Sequence, residues 1–234
     1  MEIIVKKDYG ELSQEAYRIF SEKLSASDVI GFATGSTPLG LYKIISEECR
    51  NGRISFAGKS SFNLDEYYPI DPSDAKSYRW YMEKNLFGSI DIDRSRINFP
   101  YTKDSEKSTV DSYTSLYNIS GPIDLQILGI GANGHIAFNE PGSSKDSEIR
   151  IVELSESTVS RNGTASSQKA ITMGIKEILE AHRIILLASG FDKAAAVKGM
   201  AYGDITPTIP ASFLQRHGDV TVIVDSDAGA LLQE

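Results

Sequence analysis

Cysteine is almost absent from this sequence. Cys49 is the single cysteine among 234 residues, so no disulfide can form within the chain. A lone thiol is typical of a reducing compartment. Residues 1–10 contain acidic side chains and no long apolar core, which argues against a signal peptide, and no run approaches the ~18 apolar residues of a membrane span. We therefore expect a cytoplasmic protein that does not enter the membrane.

Basic residues are outnumbered by acidic ones. The chain has 24 lysines and arginines against 32 aspartates and glutamates, which gives a net charge of -8. Nucleic acids bind positively charged surfaces, so this composition argues against a nucleic-acid partner. An anionic small molecule would have to be met by a local group of cations.

Histidine is also scarce, and the motifs of several enzyme classes are missing. The three histidines, His135, His182 and His217, have no metal-binding spacing, and we predict no metal site. The sequence lacks the GxSxG turn of serine hydrolases and the glycine-rich loops that bind nucleotides. His182 and His217 each lie near the start of a predicted strand, and we interpret them as structural.

Apolar runs alternate with amphipathic segments along the chain. Strands are predicted at residues 3–5, 28–33, 60–64, 125–130, 183–188 and 220–224, with helices between most of them. Residues 65–69 are predicted to leave the third strand as a loop, and residues 143–171 form a polar segment with only short apolar pieces. Continuously apolar strands separated by helices are typical of a parallel sheet covered on both faces. We predict an α/β fold with one domain over residues 1–234, a mostly parallel central sheet and helices on both faces.

A glycine-rich segment at residues 128–141 follows one of these apolar runs. It contains three glycines and then three polar side chains within eight residues, Asn133, His135 and Glu140. Ligands bind at the carboxyl ends of strands in such sheets, and a histidine beside a carboxamide and a carboxylate fits proton transfer. A turn that carries a structural histidine explains the same residues equally well.

An acidic residue follows the predicted strand at residues 60–64. Asp65 comes directly after that strand, where partial burial would raise its pKa and make it a better base toward a carbon acid. A solvated loop acid is the simpler interpretation of this residue taken alone.

The segment from Thr34 to Pro38 follows another predicted strand and begins a helix. Pro38 fits the first helical position, Ser36 or Thr37 fits the capping position, and Gly35 lets the backbone approach a ligand closely. Free N–H groups at a helix start favour an anion such as phosphate. An ordinary capped helix start is the alternative.

Two cations could complete an anion site. Lys193 lies in the first turn of a predicted helix, where a positive charge is slightly unfavourable unless it faces an anion. Arg161 lies in the polar segment. Either residue could equally be an exposed cation.

Several of these segments together resemble the glucosamine-6-phosphate deaminase family, also called glucosamine-6-phosphate isomerase. The resemblance is carried by residues 33–38, 63–67, 129–141, 190–193 and 210–217. The run Gly-His-Ile-Ala-Phe-Asn-Glu-Pro at residues 134–141 is its most specific part. The resemblance covers nearly the whole chain and implies a modified Rossmann-like α/β fold. It also implies conversion of D-glucosamine 6-phosphate and water to D-fructose 6-phosphate and ammonia in the catabolism of N-acetylglucosamine, without a metal or an organic cofactor.

The resemblance implies roles for ten residues. Asp65 matches the base that moves the C2 proton, His135 the group that opens the sugar ring, and Asn133 and Glu140 the two partners of that histidine. The residues that match the phosphate site are Thr34, Gly35, Ser36, Thr37, Arg161 and Lys193.

The sequence departs from the family pattern in two places. Many members carry aspartate where this chain has Asn133, whose carbonyl could still accept an N–H from the His135 ring. Larger, allosterically regulated members have a C-terminal extension, whereas this sequence stops at Glu234. We therefore expect hyperbolic kinetics and a monomer or small homo-oligomer.

Two rival functions remain open at this point. A 6-phosphogluconolactonase has a similar fold and a related histidine loop but would lack the ending at residues 138–141. A sugar-phosphate sensor of a transcription regulator would need a DNA-binding module and would have no use for Asp65, His135 and Glu140 together. Release of ammonia from glucosamine 6-phosphate distinguishes the deaminase from both.

Overall fold

The computed structural model describes residues 1–154 and 169–232. In chain order its strands are β1 (Glu2–Lys6), β2 (Val29–Phe32), β3 (Ser60–Asn63), β4 (Asp65–Tyr68), β5 (Ile97–Asn98), β6 (Leu125–Gly129), β7 (Arg150–Glu153), β8 (Lys169–Thr172), β9 (Ile184–Ala188) and β10 (Val220–Asp225). Its α-helices are α1 (Tyr9–Leu24), α2 (Leu39–Arg50), α3 (Tyr78–Asn85), α4 (Glu106–Ser120), α5 (Ile175–Leu179) and α6 (Ala194–Tyr202). Short 3₁₀ turns lie at Phe87–Ser89, Arg94–Arg96, Phe191–Lys193 and Pro210–Arg216. Within the described ranges, no helix is long and apolar enough to span a membrane.

A seven-stranded parallel sheet forms the centre of the molecule. Its strand order is β1-β10-β9-β6-β2-β3-β5. From β2 the chain proceeds through β3 to β5 at one edge, whereas β6, β9 and β10 lie on the other side. The order therefore reverses between β2 and β6, and the loops that leave these two strands diverge there. Such a switch point is where open α/β sheets bind ligands.

Helices cover both faces of this sheet. Apolar side chains of α1, α2 and α3 pack on one face, and those of α4, α5 and α6 pack on the other. Strand β6 shows the alternation that this requires, because Leu125 and Ile127 belong to the first core and Leu128 to the second. The predicted α/β fold, with a mostly parallel sheet and helices on both faces, is confirmed.

A second, antiparallel sheet of three strands has the order β4-β8-β7. Only Leu64 separates β3 from β4, so the chain passes directly from the large sheet into the small one. The backbone N–H of Met173 donates to the Leu64 carbonyl at 2.7 Å, and Asp65 lies opposite Thr172 in the small sheet. The small sheet therefore covers the carboxyl end of β3.

Two local predictions were wrong. Residues 65–68, expected as a loop, form β4. Strand β7 and most of β8 lie in the polar segment at residues 143–171, for which no strand was predicted. The cap of α2 also differs, because Pro38 occupies the capping position and no side chain caps the helix. The hydroxyls of Ser36 and Thr37 are therefore not used as a helix cap.

Candidate active site

A cavity of about 620 Å³ opens where the strand order reverses. It is lined by residues 33–38 after β2, by Leu64 and Asp65 where β3 passes into β4, by residues at and after the end of β6, and by Tyr78 and Lys193. A cavity of this size is in the usual range for a small-molecule site. Asp65, Asn133, His135, Lys193 and the residues of the 34–37 loop, far apart in sequence, all line it.

Asp65 is the buried carboxyl of this cavity. It is the first residue of β4 and only 6% exposed. Loss of hydration, with a smaller contribution from the charge of Glu66, raises the pKa of Asp65 to about 8. A carboxylate with so high a pKa is a stronger base than one in water, which fits proton transfer from carbon.

Glu66 lies on the opposite side of the same strand, and its side chain has a structural role. Its carboxylate accepts the backbone N–H groups of Tyr67, Tyr78 and Arg79 at 2.8 to 2.9 Å. Burial raises its pKa to about 7 although these donors oppose the shift. Glu66 therefore fixes the start of α3 against β4.

Gly131 explains how the glycine-rich loop holds His135. A Cβ on Gly131 would lie 2.3 Å from Cε1 of the His135 ring, so the ring occupies the space that a side chain would need. The N–H of Gly131 donates to the carbonyl of His135 at 2.9 Å. Gly134 has φ +84°, and its close approach to Ile209 leaves no room for a Cβ. The loop thus turns tightly and presents the histidine to the cavity.

Glu140 lies on the Nδ1 side of the His135 imidazole. Its Oε1 lies 3.5 Å from Nδ1 of His135, and its Oε2 accepts from Nδ2 of Asn133 at 2.7 Å. Asn133 Oδ1 accepts the backbone N–H of His135 at 3.2 Å and not a ring N–H. The expected contact between Asn133 and the ring is therefore wrong: the carboxamide orients Glu140, and Glu140 is the group nearest to Nδ1.

The histidine loop is tied to the strand opposite Asp65. The Thr172 hydroxyl accepts the N–H of Phe138 at 3.2 Å, while Nδ2 of the buried Asn139 bridges the carbonyls of Ile136 and Met173. Because Thr172 is also the strand partner of Asp65, the small sheet sets the distance between the acid and the histidine loop.

The loop at residues 34–37 forms the wall of the cavity next to α2. Gly35 has φ +100°, a conformation that glycine adopts without strain. Among the described residues, no protein acceptor is bound to the backbone N–H groups of Ser36 and Thr37. These N–H groups, at the start of a helix, can bind an anion.

Lys193 reaches the cavity from the start of α6. Its side chain is 16% exposed, and its Nζ lies 3.2 Å from Oδ2 of Asp192. The buried Asp225 holds the preceding turn, since it accepts the Ser189 hydroxyl at 2.5 Å and the Gly190 N–H at 3.1 Å. Arg161, the other predicted cation, lies outside the described residues.

Comparison with known proteins identifies the family of this chain. A family model described as glucosamine-6-phosphate isomerases/6-phosphogluconolactonase matches residues 10–223. The chain belongs to this family. A glucosamine-6-phosphate deaminase of Clostridium novyi (strain NT) is 45% identical over 242 residues, covering 99% of this chain and 100% of that protein. One of Clostridium botulinum (strain Langeland) is 43% identical, covering 100% of this chain and 99% of that protein.

Solved structures of the family show the same fold. A monomeric glucosamine-6-phosphate deaminase superimposes with a TM-score of 0.95 at 39% identity, covering 99% of this chain and 100% of that one. The 6-phosphogluconolactonase of Trypanosoma brucei gives a TM-score of 0.83 at 20% identity over 99% of this chain and 98% of that one, a likeness of fold alone.

Tyr78 is a residue of this family member's cavity that the sequence did not predict. Its hydroxyl lies 3.1 Å from that of Tyr67 and hydrogen-bonds the Thr34 side chain, and its ring stacks on Phe138 at 6.0 Å. It links the anion loop to the histidine loop beside Asp65. Its sequence signal was ambiguous, because its spacing in α3 fitted an apolar helix face.

Within residues 1–154 and 169–232, no cluster of three or more histidine, cysteine or acidic side chains is placed to hold a metal ion.

Proposed function

We propose that this family member converts D-glucosamine 6-phosphate and water to D-fructose 6-phosphate and ammonia. The observation that supports this most directly is the buried carboxyl of Asp65 in the same cavity as His135 and an anion-binding loop. Isomerisation needs a base for a proton on carbon, ring opening needs an acid, and the phosphate needs N–H donors and a cation. The similarity to deaminases at 43% and 45% identity supports the same activity.

The phosphate binds to the loop that starts α2. The N–H groups and hydroxyls of Ser36 and Thr37, with Thr34 and Gly35, surround its oxygens, and Lys193, which lines the same cavity, supplies positive charge. Arg161 is assigned to the same subsite from the family resemblance. Fixing the phosphate places the C1–C2 end of the sugar between His135 and Asp65.

His135 opens the sugar ring. It donates a proton to the ring oxygen while water accepts one from the C1 hydroxyl, so the bond between C1 and the ring oxygen breaks and the free aldehyde forms. Glu140 faces the other ring nitrogen and stabilises the protonated imidazole, and Asn133 holds Glu140 in place.

Asp65 carries out the isomerisation. Its carboxylate removes the C2 proton, which the new aldehyde at C1 acidifies, while the C1 oxygen takes up a proton from the substrate's ammonium group to give an enolamine. The protonated Asp65 then returns its proton to C1. The product is a ketimine at C2. Water adds to C2, the carbon–nitrogen bond breaks, and ammonia leaves with fructose 6-phosphate. The substrate's ammonium group beside Asp65 favours the ionised carboxylate that the first step needs.

One assay tests the reaction. Purified protein is given glucosamine 6-phosphate, and ammonia and fructose 6-phosphate are measured in parallel. We expect both products in equal amounts. The matched substrate is 6-phosphoglucono-lactone, which offers a phosphate and no amine. Hydrolysis of the lactone without ammonia release from the amino sugar would replace the deaminase assignment by a lactonase.

We also propose a cytoplasmic monomer or small homo-oligomer, without nucleic acid or membrane as a partner. The lone cysteine, the net charge of -8 and the likeness to a monomeric deaminase support this assignment. Light scattering at assay concentration measures the oligomeric state, and a hexamer would contradict the assignment.

A further inference from the structure

Tyrosine hydroxyls hold the carbonyl groups of the anion loop. Three tyrosines donate to four carbonyls in five consecutive residues. The pairs are Tyr42 to Ala33 at 2.6 Å, Tyr81 to Gly35 at 2.6 Å, and Tyr9 to Ser36 at 3.2 Å and to Thr37 at 3.0 Å. The Tyr9 hydroxyl also accepts the N–H of Gly40, in the first turn of α2, at 2.8 Å.

The direction of these carbonyls fixes the direction of the loop's N–H groups. In a trans peptide the carbonyl of one residue and the N–H of the next point in opposite directions. The Gly35 and Ser36 carbonyls point toward the tyrosines, so the N–H groups of Ser36 and Thr37 point away from them. In the described part of the chain these two N–H groups have no protein acceptor, and both residues line the cavity. Successive free N–H groups in such a turn form an anion-binding concavity.

Two of the three tyrosines lie in helices that are not continuous with the loop they hold. Tyr9 belongs to α1 and Tyr81 to α3, and neither lines the cavity. A residue that served only the stability of α1 or α3 would not need to bond a loop beyond its own helix. Tyr42 is different, because it is fully buried in the core beneath α2.

We propose that Tyr9 and Tyr81 are positioning residues for the phosphate subsite. Their hydroxyls hold the carbonyls of residues 35–37 outward, so that the N–H groups face the phosphate. The identity of the bound substrate in this proposal rests on the proposed function. The anion subsite itself is defined by the loop. It predicts an effect on binding of the phosphate and not on the chemistry at C1 and C2.

The test uses Tyr9→Phe, Tyr81→Phe and the double variant, with Tyr68→Phe as a matched control. The Tyr68 hydroxyl also donates to a backbone carbonyl, that of Asp104 at 2.7 Å, but away from the cavity. For glucosamine 6-phosphate we expect KM to rise about threefold to tenfold for each hydroxyl removed, as for the loss of one hydrogen bond. We expect kcat to stay within about twofold and the control to match the wild-type protein. The Kd of inorganic phosphate, from equilibrium titration, should rise by the same factor as KM.

Two results would overturn the proposal. One is a double variant with unchanged phosphate Kd, and the other is a loss confined to kcat. If the double variant does not fold, the single variants decide by the same criteria. If the wild-type protein releases no ammonia, the proposed function fails, and the phosphate Kd of the variants still decides whether the tyrosines orient the loop.

Discussion

Asp65 and Glu66 are adjacent carboxyls whose surroundings give them different roles. Glu66 receives three backbone N–H donors, whereas the described residues provide no hydrogen-bond donor to the Asp65 carboxyl, which faces the cavity. Burial raises the pKa of both groups. Only Asp65 can therefore exchange a proton with a ligand, because the acceptor oxygens of Glu66 are already bonded.

Burial of Asp65 predicts that removing its charge stabilises the protein at high pH. Its pKa is about 8 when folded against 3.8 as the reference value, so the folded state binds the proton more tightly. The stability that this provides is fully present below pH 4 and is lost as the pH rises through 8. We expect Asp65→Asn to exceed the wild-type free energy of unfolding by roughly 2 to 5 kcal/mol at pH 9 and by little at pH 4.5. Urea unfolding at both pH values measures this, and a difference independent of pH would contradict the burial of an ionisable Asp65.

Removing the charge of Glu140 should slow the ring-opening step. Glu140→Gln keeps the shape of the side chain but removes the charge that faces Nδ1 of His135. We expect kcat to fall about 10-fold to 100-fold with little change in KM, because the protonated imidazole loses its partner. Glu148→Gln is the matched control, since Glu148 forms an exposed ion pair with Lys176. An equal loss in both variants would argue against this role.

At the scale of elements, the parallel strands were predictable and the small sheet was not. Strands such as β6, β9 and β10 are apolar runs buried on both faces, and their positions agree with the predicted ones. Strands β4, β7 and β8 have four residues each and carry charged side chains, so neither length nor alternation distinguishes them from loops. Strand β4 pairs with a segment far along the chain, Asp65 lying opposite Thr172, and local sequence patterns contain no information on such a pairing.

The same limit applies within the site. The residue types at the ends of β2, β3, β6 and β9 predicted which side chains meet, and Asp65, His135 and Lys193 do line one cavity. The hydrogen bonds within the site were not predictable. Asn133 contacts Glu140 and the His135 backbone, and these contacts depend on the conformation of the loop.

One methyl group added to the glycine-rich loop should lower the activity strongly. In Gly131→Ala the new Cβ would overlap the His135 ring, so the ring must leave its position. We expect kcat to fall about 100-fold, in line with the loss of a positioned acid. Gly218→Ala is the control, because a Cβ there meets no atom within 4 Å and Gly218 lies outside the cavity. A Gly131→Ala variant with wild-type kcat would mean that His135 need not occupy this position.

At the scale of the molecule, the cavity joins loops that leave different parts of the fold, so a bound ligand should stabilise the whole. Fructose 6-phosphate at 100 times its Kd should raise the free energy of unfolding by about 2.7 kcal/mol. Lys193→Met should lose most of this increase at the same ligand concentration, because the phosphate loses a cation that lines the cavity. Lys43→Met, which removes an exposed lysine from α2, should retain it. Equal stabilisation of both variants in thermal unfolding would exclude Lys193 from the phosphate subsite.

We propose that Asp65 moves the C2 proton in a deamination. The most direct test measures ammonia release from glucosamine 6-phosphate by the wild-type protein and by Asp65→Asn, with folding of the variant verified by its unfolding transition. We expect steady release by the wild-type protein and a rate lower by about 10²-fold to 10⁴-fold in the variant, because the variant lacks the general base. Release by Asp65→Asn at the wild-type rate would contradict this role of Asp65.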